Sequence, residues 1–220
     1  MNYNLKTDTK TSVLWKQKGL KNMIKNKKDL KEYLEADYKY YKRDTKKKIK
    51  NTLMAEHLTL IWRYIKYLRY LEYYTNKSNK TIFTTIAKFY YNRRKNKLGN
   101  LLGFYISPNI FEKGLTICHN GSIIINGEAK IGENCKLHGD NCIGNDGKSK
   151  KAPVIGKNVD IGIGAKILGN IVIADNVKIG ANAVVVKSCL NEGATLVGVP
   201  AREVERKHEW KQENLFDSDI

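Results

Sequence analysis

Proline is scarce in this chain of 220 residues, with 3 in all, and no apolar run approaches the roughly 18 residues that mark a membrane-spanning helix. Residues 1–20 are polar and charged, so no signal peptide is expected. Cys118, Cys135, Cys142 and Cys189 never fall in a Cys-x-x-Cys spacing, and they read as small buried thiols. A reduced, cytoplasmic protein is the expectation. No His, Cys, Asp or Glu cluster has metal-ligand spacing, so no metal site is expected.

Acidic residues and glycine are both short in the first hundred residues. Residues 1–100 hold 26 Lys and Arg against 8 Asp and Glu, with 2 of 17 glycines and 12 of 13 tyrosines. Residues 101–220 hold 14 charges of each sign, so the whole net charge of +18 belongs to the first half. Two regions of different physics meet near residue 100. Clustered lysine and arginine concentrate polyanions, and charge alone does not choose among them. A lysine-rich solvated surface is the competing reading. No nucleic-acid partner is expected, and peripheral contact of the basic half with a membrane surface or another polyanion stays open.

Residues 1–27 lack periodicity and read as a flexible basic arm. Over 28–99 the apolar residues recur at helical spacing: Leu30, Tyr33, Leu34, Tyr38 and Tyr41 on one helix reaching about Lys50, then Leu53, His57, Leu58, Ile61, Ile65, Leu68 and Leu71 on a second. A third, capped by Ser78 or Thr81 and ending near Gly99, carries Ile82, Ile86, Phe89 and Tyr90 on its apolar side. His57 lies on the second helix's apolar stripe and is read as a satisfied core or interface histidine.

After Gly99 the period changes to six. Every sixth residue from Ile125 gives Ile125, Ile131, Leu137, Ile143, a miss at Ser149, then Ile155, Ile161, Ile167, Ile173, Ile179 and Val185. The residue after the aliphatic one is often glycine (Gly132, Gly156, Gly162, Gly180), and a second small or β-branched residue follows four places on (Ala129, Cys135, Val159, Ala165, Val177, Ala183). Neither a helix nor an alternating strand has this period. A triangular solenoid does: each hexapeptide is one short strand and a corner, three of them close a coil of roughly eighteen residues, and Gly or Asn relieves the corner backbone. Residues 144–153 leave the ladder as a loop rich in glycine and lysine, and loops on rigid scaffolds carry binding chemistry. Gly147, Lys148 and Ser149 do not end a P-loop, because position 142 is Cys.

His119 and His138 are 19 residues apart, which predicts neighbouring coils on one side of the prism. An imidazole titrating near neutrality suits a base that takes a hydroxyl proton, and corner glycines would offer N–H donors to an oxyanion.

These residues resemble the serine acetyltransferase-like branch of the hexapeptide acyltransferases over about residues 100–206. The family's Asp-His-Ala-Thr-Gly matches Cys118 to Ser122, its Gly-Gly-Thr-Gly-Lys-Ser loop matches Gly144 to Ser149, and its Gly-Ala-Lys-Ile-Leu-Gly-Asn recurs at Gly164 to Asn170. Its closing Gly-Val-Pro-Ala-Arg recurs at Gly198 to Arg202. The resemblance implies an α+β chain: a small N-terminal helical domain (28–99), then a left-handed parallel β-helix (100–206) and a polar tail (207–220) containing His208. It implies acetyl-CoA as co-substrate and a homotrimer, with a dimer of trimers as a further option. It makes His119 the catalytic histidine, with His138 a second candidate. Gly144, Gly147, Lys148, Gly164, Ala165, Lys166, Ala181, Lys187 and Arg202 are the cofactor-binding candidates.

Three positions depart from the pattern for L-serine. The acid that orients the histidine falls at Tyr105, the aspartate before it at Cys118, and a second histidine at Ala152. The expectation is therefore acetyl transfer to a sugar hydroxyl of a capsular or surface polysaccharide. Serine O-acetyltransferase for cysteine biosynthesis and a non-enzymatic trimeric polyanion-binding protein are the alternatives.

Overall fold

Residues 23–42 and 56–204 are described by the computed structural model. Most of the basic arm, Leu53, and the tail with His208 lie outside them. Helix α1 (Lys27–Tyr41) starts at Asn26, whose side chain accepts from the Asp29 N–H while the Asp29 carboxylate accepts from the Asn26 N–H. Helix α2 (His57–Asn76) is capped by Glu56, and α3 (Ile82–Leu102) by Thr81, as expected.

The structure refines the expectation for α3 in two ways. The helix runs through Gly99 to Leu102 and stops at Gly103, whose φ of 81° suits a left-handed cap. Gly99 is required for another reason, since a Cβ there would lie 2.6 Å from the Phe104 carbonyl oxygen. The apolar side of α3 is also not core: Ile82, Ile86, Phe89 and Tyr90 are 72%, 60%, 69% and 45% exposed, whereas Lys95, Gly99 and Leu102 are buried. Helical spacing reveals a stripe but not whether this chain covers it.

The remainder is a three-faced parallel prism. Its first face stacks β1 (Phe104–Tyr105), β3 (Ile123–Ile125), β6 (Cys142–Gly144), β9 (Lys166–Leu168) and β12 (Val184–Val185). The second stacks β4 (Lys130–Ile131), β7 (Val154–Ile155) and β10 (Val172–Ile173). The third stacks β2 (Thr116–Ile117), β5 (Lys136–Leu137), β8 (Asp160–Ile161), β11 (Lys178–Ile179) and β13 (Thr195–Gly198), and β14 (Ala201–Val204) closes it antiparallel to β13. Successive aliphatic residues of the six-residue ladder fall on successive faces: Ile131 on the second, Leu137 on the third, Ile143 on the first. Each then stacks on its equivalent, as in Ile125 on Ile143 on Ile167 on Val185, and all are buried. The missing position at Ser149 preserves the frame, because Ile143 pairs directly with Ile167 and the loop adds one hexapeptide's worth of chain.

The glycines and asparagines divide the corner between them. Asn134, Asp140, Asn158, Asn176 and Asn182, together with Gly164, take positive φ three residues after a ladder residue. Gly132, Gly156 and Gly162 do not; a Cβ on Gly162 would sit 2.7 Å from the Ala181 nitrogen of the next coil. They are glycine because coils touch there, which corrects the expectation that they relieve backbone strain.

The helices close the open end of this prism. A terminal strand exposes N–H and C=O groups with no coil to pair them, and burying them unpaired would cost about 1–3 kcal/mol each. Side chains of α1, α2 and α3 supply the partners. Asp37 accepts from the Gly114 and Leu115 N–H groups, and the Tyr41 hydroxyl accepts from the Ile117 N–H and donates to its carbonyl. Arg69 donates to the Phe111 and Glu112 carbonyls, Glu72 accepts from the Asn109 N–H, and Lys95 donates to the Ile106 carbonyl. Ile61, Tyr64, Ile65 and Leu68 of α2 join the same hydrophobic core as the prism ladder.

Candidate functional site

The candidate residues occupy two different edges of the prism. His119 follows β2 at the corner between the third and first faces. Gly139, Gly164 and Ala181 lie at the same corner on later coils: a Cβ on Gly139 would lie 3.6 Å from the His119 Cβ, the Gly164 N–H donates to the Gly139 carbonyl, and a Cβ on Gly164 would meet the Asn182 side chain. The loop from Gly144 leaves at the other end of the first face and rejoins at β7, so Gly147 and Lys148 belong to the edge between the first and second faces. Lys187, two residues beyond β12, lies at this second edge. Arg202 pairs with Val197 across the closing hairpin.

His119 is exposed, and its ring lies nearly parallel to that of His57, with centroids 6.1 Å apart and planes at 14°. Of the two readings of His57, core or interface, the structure rules out the core. His57 is the first residue of α2, its side chain is 46% exposed, and its Nδ1 lies 3.1 Å from Glu56 Oε1. The helical stripe, extended back through Leu53, concealed this; the end of a helix frees its first residue from the face its spacing suggests.

His138 lies on the coil after His119, but with Ile117 paired to Leu137 it stands opposite Cys118, and Gly139 takes the position over His119. The His138 Nε2 is 2.8 Å from Asp160 Oδ1 on the following coil. Cys118, beside His119, is buried, and burial raises its thiol above the usual value. Cys135 is pushed up to about 12 by burial, as suits an inert core thiol.

Corner glycines near His119 do not present spare donors. The Gly121 N–H donates to the Leu102 carbonyl, that of Gly139 to Asn141 Oδ1, and that of Gly164 to the Gly139 carbonyl. The end of α3, a side chain of the same coil and the preceding coil each take one of these amides. Ala165 is likewise fully buried, its N–H donating to the Gly162 carbonyl and its own carbonyl accepting from the Cys142 N–H. Lys166 reaches across to the Asp140 carbonyl at 2.6 Å. Ala181, Lys187 and Arg202 are exposed.

The loop is locally ordered. Asp146 Oδ1 accepts from the Lys148 and Ser149 N–H groups, and these bonds hold its carboxyl below the usual range. The Ser149 hydroxyl accepts from the Lys151 N–H. Gly147 has φ 75° with open space around it, and Lys148, Lys150 and Lys151 are exposed. Among the described residues no group of three His, Cys, Asp or Glu converges as a metal site, and no helix is long and apolar enough to cross a membrane.

Residues 152–187 match the family model "Bacterial transferase hexapeptide (six repeats)". The chain is 37% identical over 109 residues to a serine acetyltransferase of Synechococcus elongatus, covering 48% of this chain and 44% of that one. A Helicobacter pylori serine acetyltransferase is 38% identical over 107 residues, with coverage of 47% and 62%. Among solved structures, the soybean serine acetyltransferase apoenzyme superposes with a TM-score of 0.62 at 25% identity, covering 80% of this chain and 69% of that one. The chain thus spans only 44% to 62% of the length of these curated relatives.

Proposed function

We propose that this hexapeptide-repeat chain is an acetyl-CoA-dependent O-acetyltransferase of the serine acetyltransferase-like branch, in which His119 is the general base and L-serine the acceptor. The observation that carries the reading is an exposed imidazole at the prism edge, in a chain whose relatives are named serine acetyltransferases. His119 takes the proton as the serine hydroxyl attacks the thioester carbonyl, and returns it to the departing CoA thiolate. The prism, whose described strands run from Phe104 to Val204, is the transferase unit, coiled left-handedly as the resemblance implies. The described helices before it, the last ending at Leu102, close its end.

The two edges support a homotrimer. His119 and Ala181 lie on one edge, while Lys148 and Lys187 lie on another, so one chain cannot easily offer both to one ligand. Packing prisms side by side would set the histidine edge of one copy against the loop edge of the next. Light scattering at three times the chain mass is the expected outcome.

A sugar hydroxyl of a capsular or surface polysaccharide, the acceptor expected from sequence, is supported by none of the comparisons. It remains a second reading on one observation only: Tyr105, Cys118 and Ala152 stand where the resemblance places groups for L-serine, and Cys118 is buried. The test is release of free CoA thiol from acetyl-CoA with L-serine, or with a panel of sugars, and mass spectrometry of the products. O-acetylserine is expected. Transfer only to a sugar would overturn the serine assignment, and no transfer to any acceptor would favour the polyanion-binding alternative.

A further inference from the structure

Glu56 and His57 lie outside every candidate position recognised from the sequence motifs, yet His57, bonded to Glu56, meets His119 in space. Glu56 caps α2, its Oε2 accepting from the Thr59 N–H at 3.2 Å and from the Thr59 hydroxyl at 3.4 Å. Its other oxygen, Oε1, is 3.1 Å from His57 Nδ1. The carboxylate is thus anchored through the cap and fixes the ring of His57, favouring the tautomer in which Nδ1 donates. That ring lies over the His119 ring at 6.1 Å and 14°, within the centroid range of offset-stacked aromatic pairs. An exposed histidine has many rotamers, and a general base works in few of them. A second imidazole, itself held by a capped carboxylate, restricts that freedom from outside the prism.

We propose that His57, held by Glu56, is a positioning residue for His119, so that the helical segment completes the acceptor side of the site. The proposal rests on the reading of His119 as general base. The pair also gives the basic helical half a part in the chemistry besides closing the prism. Glu56 is the link between them, because the same carboxylate starts the helix and orients the ring.

Two measurements on the full-length chain test it. In the first, the ring resonances of His119 are followed by NMR with histidine-labelled protein, assigned through His119→Ala. His57→Ala should shift the His119 ring signals, as loss of a stacked neighbour removes its ring current, while His57→Phe should keep them closer to wild type. In the second, steady-state kinetics should show kcat falling about ten-fold in His57→Ala, a fraction of the 10²–10⁴-fold that a general base contributes, with KM for acetyl-CoA unchanged. His57→Phe should recover most of that loss by restoring the ring, and Glu56→Gln should fall between. Unchanged His119 resonances in His57→Ala, or a kcat loss that His57→Phe shares in full, would overturn the proposal. If wild-type protein transfers acetyl to nothing, the reading of His119 as a base fails and the positioning role with it; the NMR result then reports only whether the two rings pair.

Discussion

Asp37 on α1 and Arg69 on α2 form a fully buried ion pair, Nε to Oδ2 at 2.7 Å, and each also bonds the backbone of the first prism coil. Glu72 joins the same guanidinium at 2.9 Å, and burial raises its carboxyl against the pull of Arg69. The cluster holds charges in the core because they pair the open strand groups at the prism's end.

Breaking this cluster should therefore cost more than a surface ion pair. Arg69→Met strands two buried carboxylates and two carbonyls, and a loss of about 3–5 kcal/mol is expected. Urea denaturation checks it, with Lys31→Ala, which removes an exposed i,i+4 pair with Glu35, as the control expected to stay within about 1 kcal/mol of wild type. Equal effects of the two would show that the cluster does not join the helices to the prism.

Gly162→Ala should destabilise the prism by about 1–3 kcal/mol through overpacking against the next coil, although its φ is ordinary. Gly147→Ala has the opposite character: φ is 75° but nothing lies within 4 Å, so only local strain is added. Ile161→Asp should prevent folding altogether, because an unpaired carboxylate would replace a ladder residue. Thermal melts that rank Gly147→Ala below Gly162→Ala would contradict the packing argument.

Alkaline pH should unfold the chain. Burial pushes the phenols of Tyr33, Tyr41 and Tyr64 well above their ordinary 10.0. Above that value the unfolded chain releases protons that the folded one retains, so this stability is complete below pH 10 and falls as pH rises further. Lys95 acts in the other sense, because burial lowers its ammonium and folding gains as pH approaches its ordinary 10.5; the thiols of Cys118, Cys135 and Cys189, raised by burial, add to the loss from the phenols. Melting temperatures from pH 8 to 11 should fall less steeply in Tyr64→Phe, which keeps the ring against Phe104. A slope identical to wild type would show that Tyr64 does not contribute.

His119→Ala should lower kcat by 10²–10⁴-fold and leave CoA binding and the oligomer intact. His138→Ala should be milder, since that ring is bonded to Asp160. Retention of more than about a tenth of wild-type turnover by His119→Ala would remove it from the role of base.

Replacing Lys148, Lys150 and Lys151 together with Ala should raise KM for acetyl-CoA with a smaller change in kcat, because flexible point charges add capture rather than transition-state geometry. The difference should shrink at high salt, where the wild-type loop is screened. Matching kinetics at low and high ionic strength would show that these lysines touch nothing.

The six-residue ladder was legible residue by residue, because an inward position in a solenoid repeats along the chain and each coil buries the same column. The loop was legible as its interruption. His119 was singled out as a candidate by motif, and its place on the coil next to that of His138 by spacing alone. What spacing could not give was anything that depends on chain segments far apart. Arg69 looks like one more solvated charge until the prism's open end is seen to need donors, and Ile82, Ile86, Phe89 and Tyr90 form an apolar stripe that stays exposed among the described residues. Which prism edge each candidate occupies follows from how three faces close. His57 meets His119 only because α2 begins beside the second coil, 62 residues away in sequence. Local periodicity is set by burial within each repeat, and sequence alone determines it; the partners of buried charges and the neighbours of an exposed imidazole are set by where separate elements dock, and only the tertiary structure decides them.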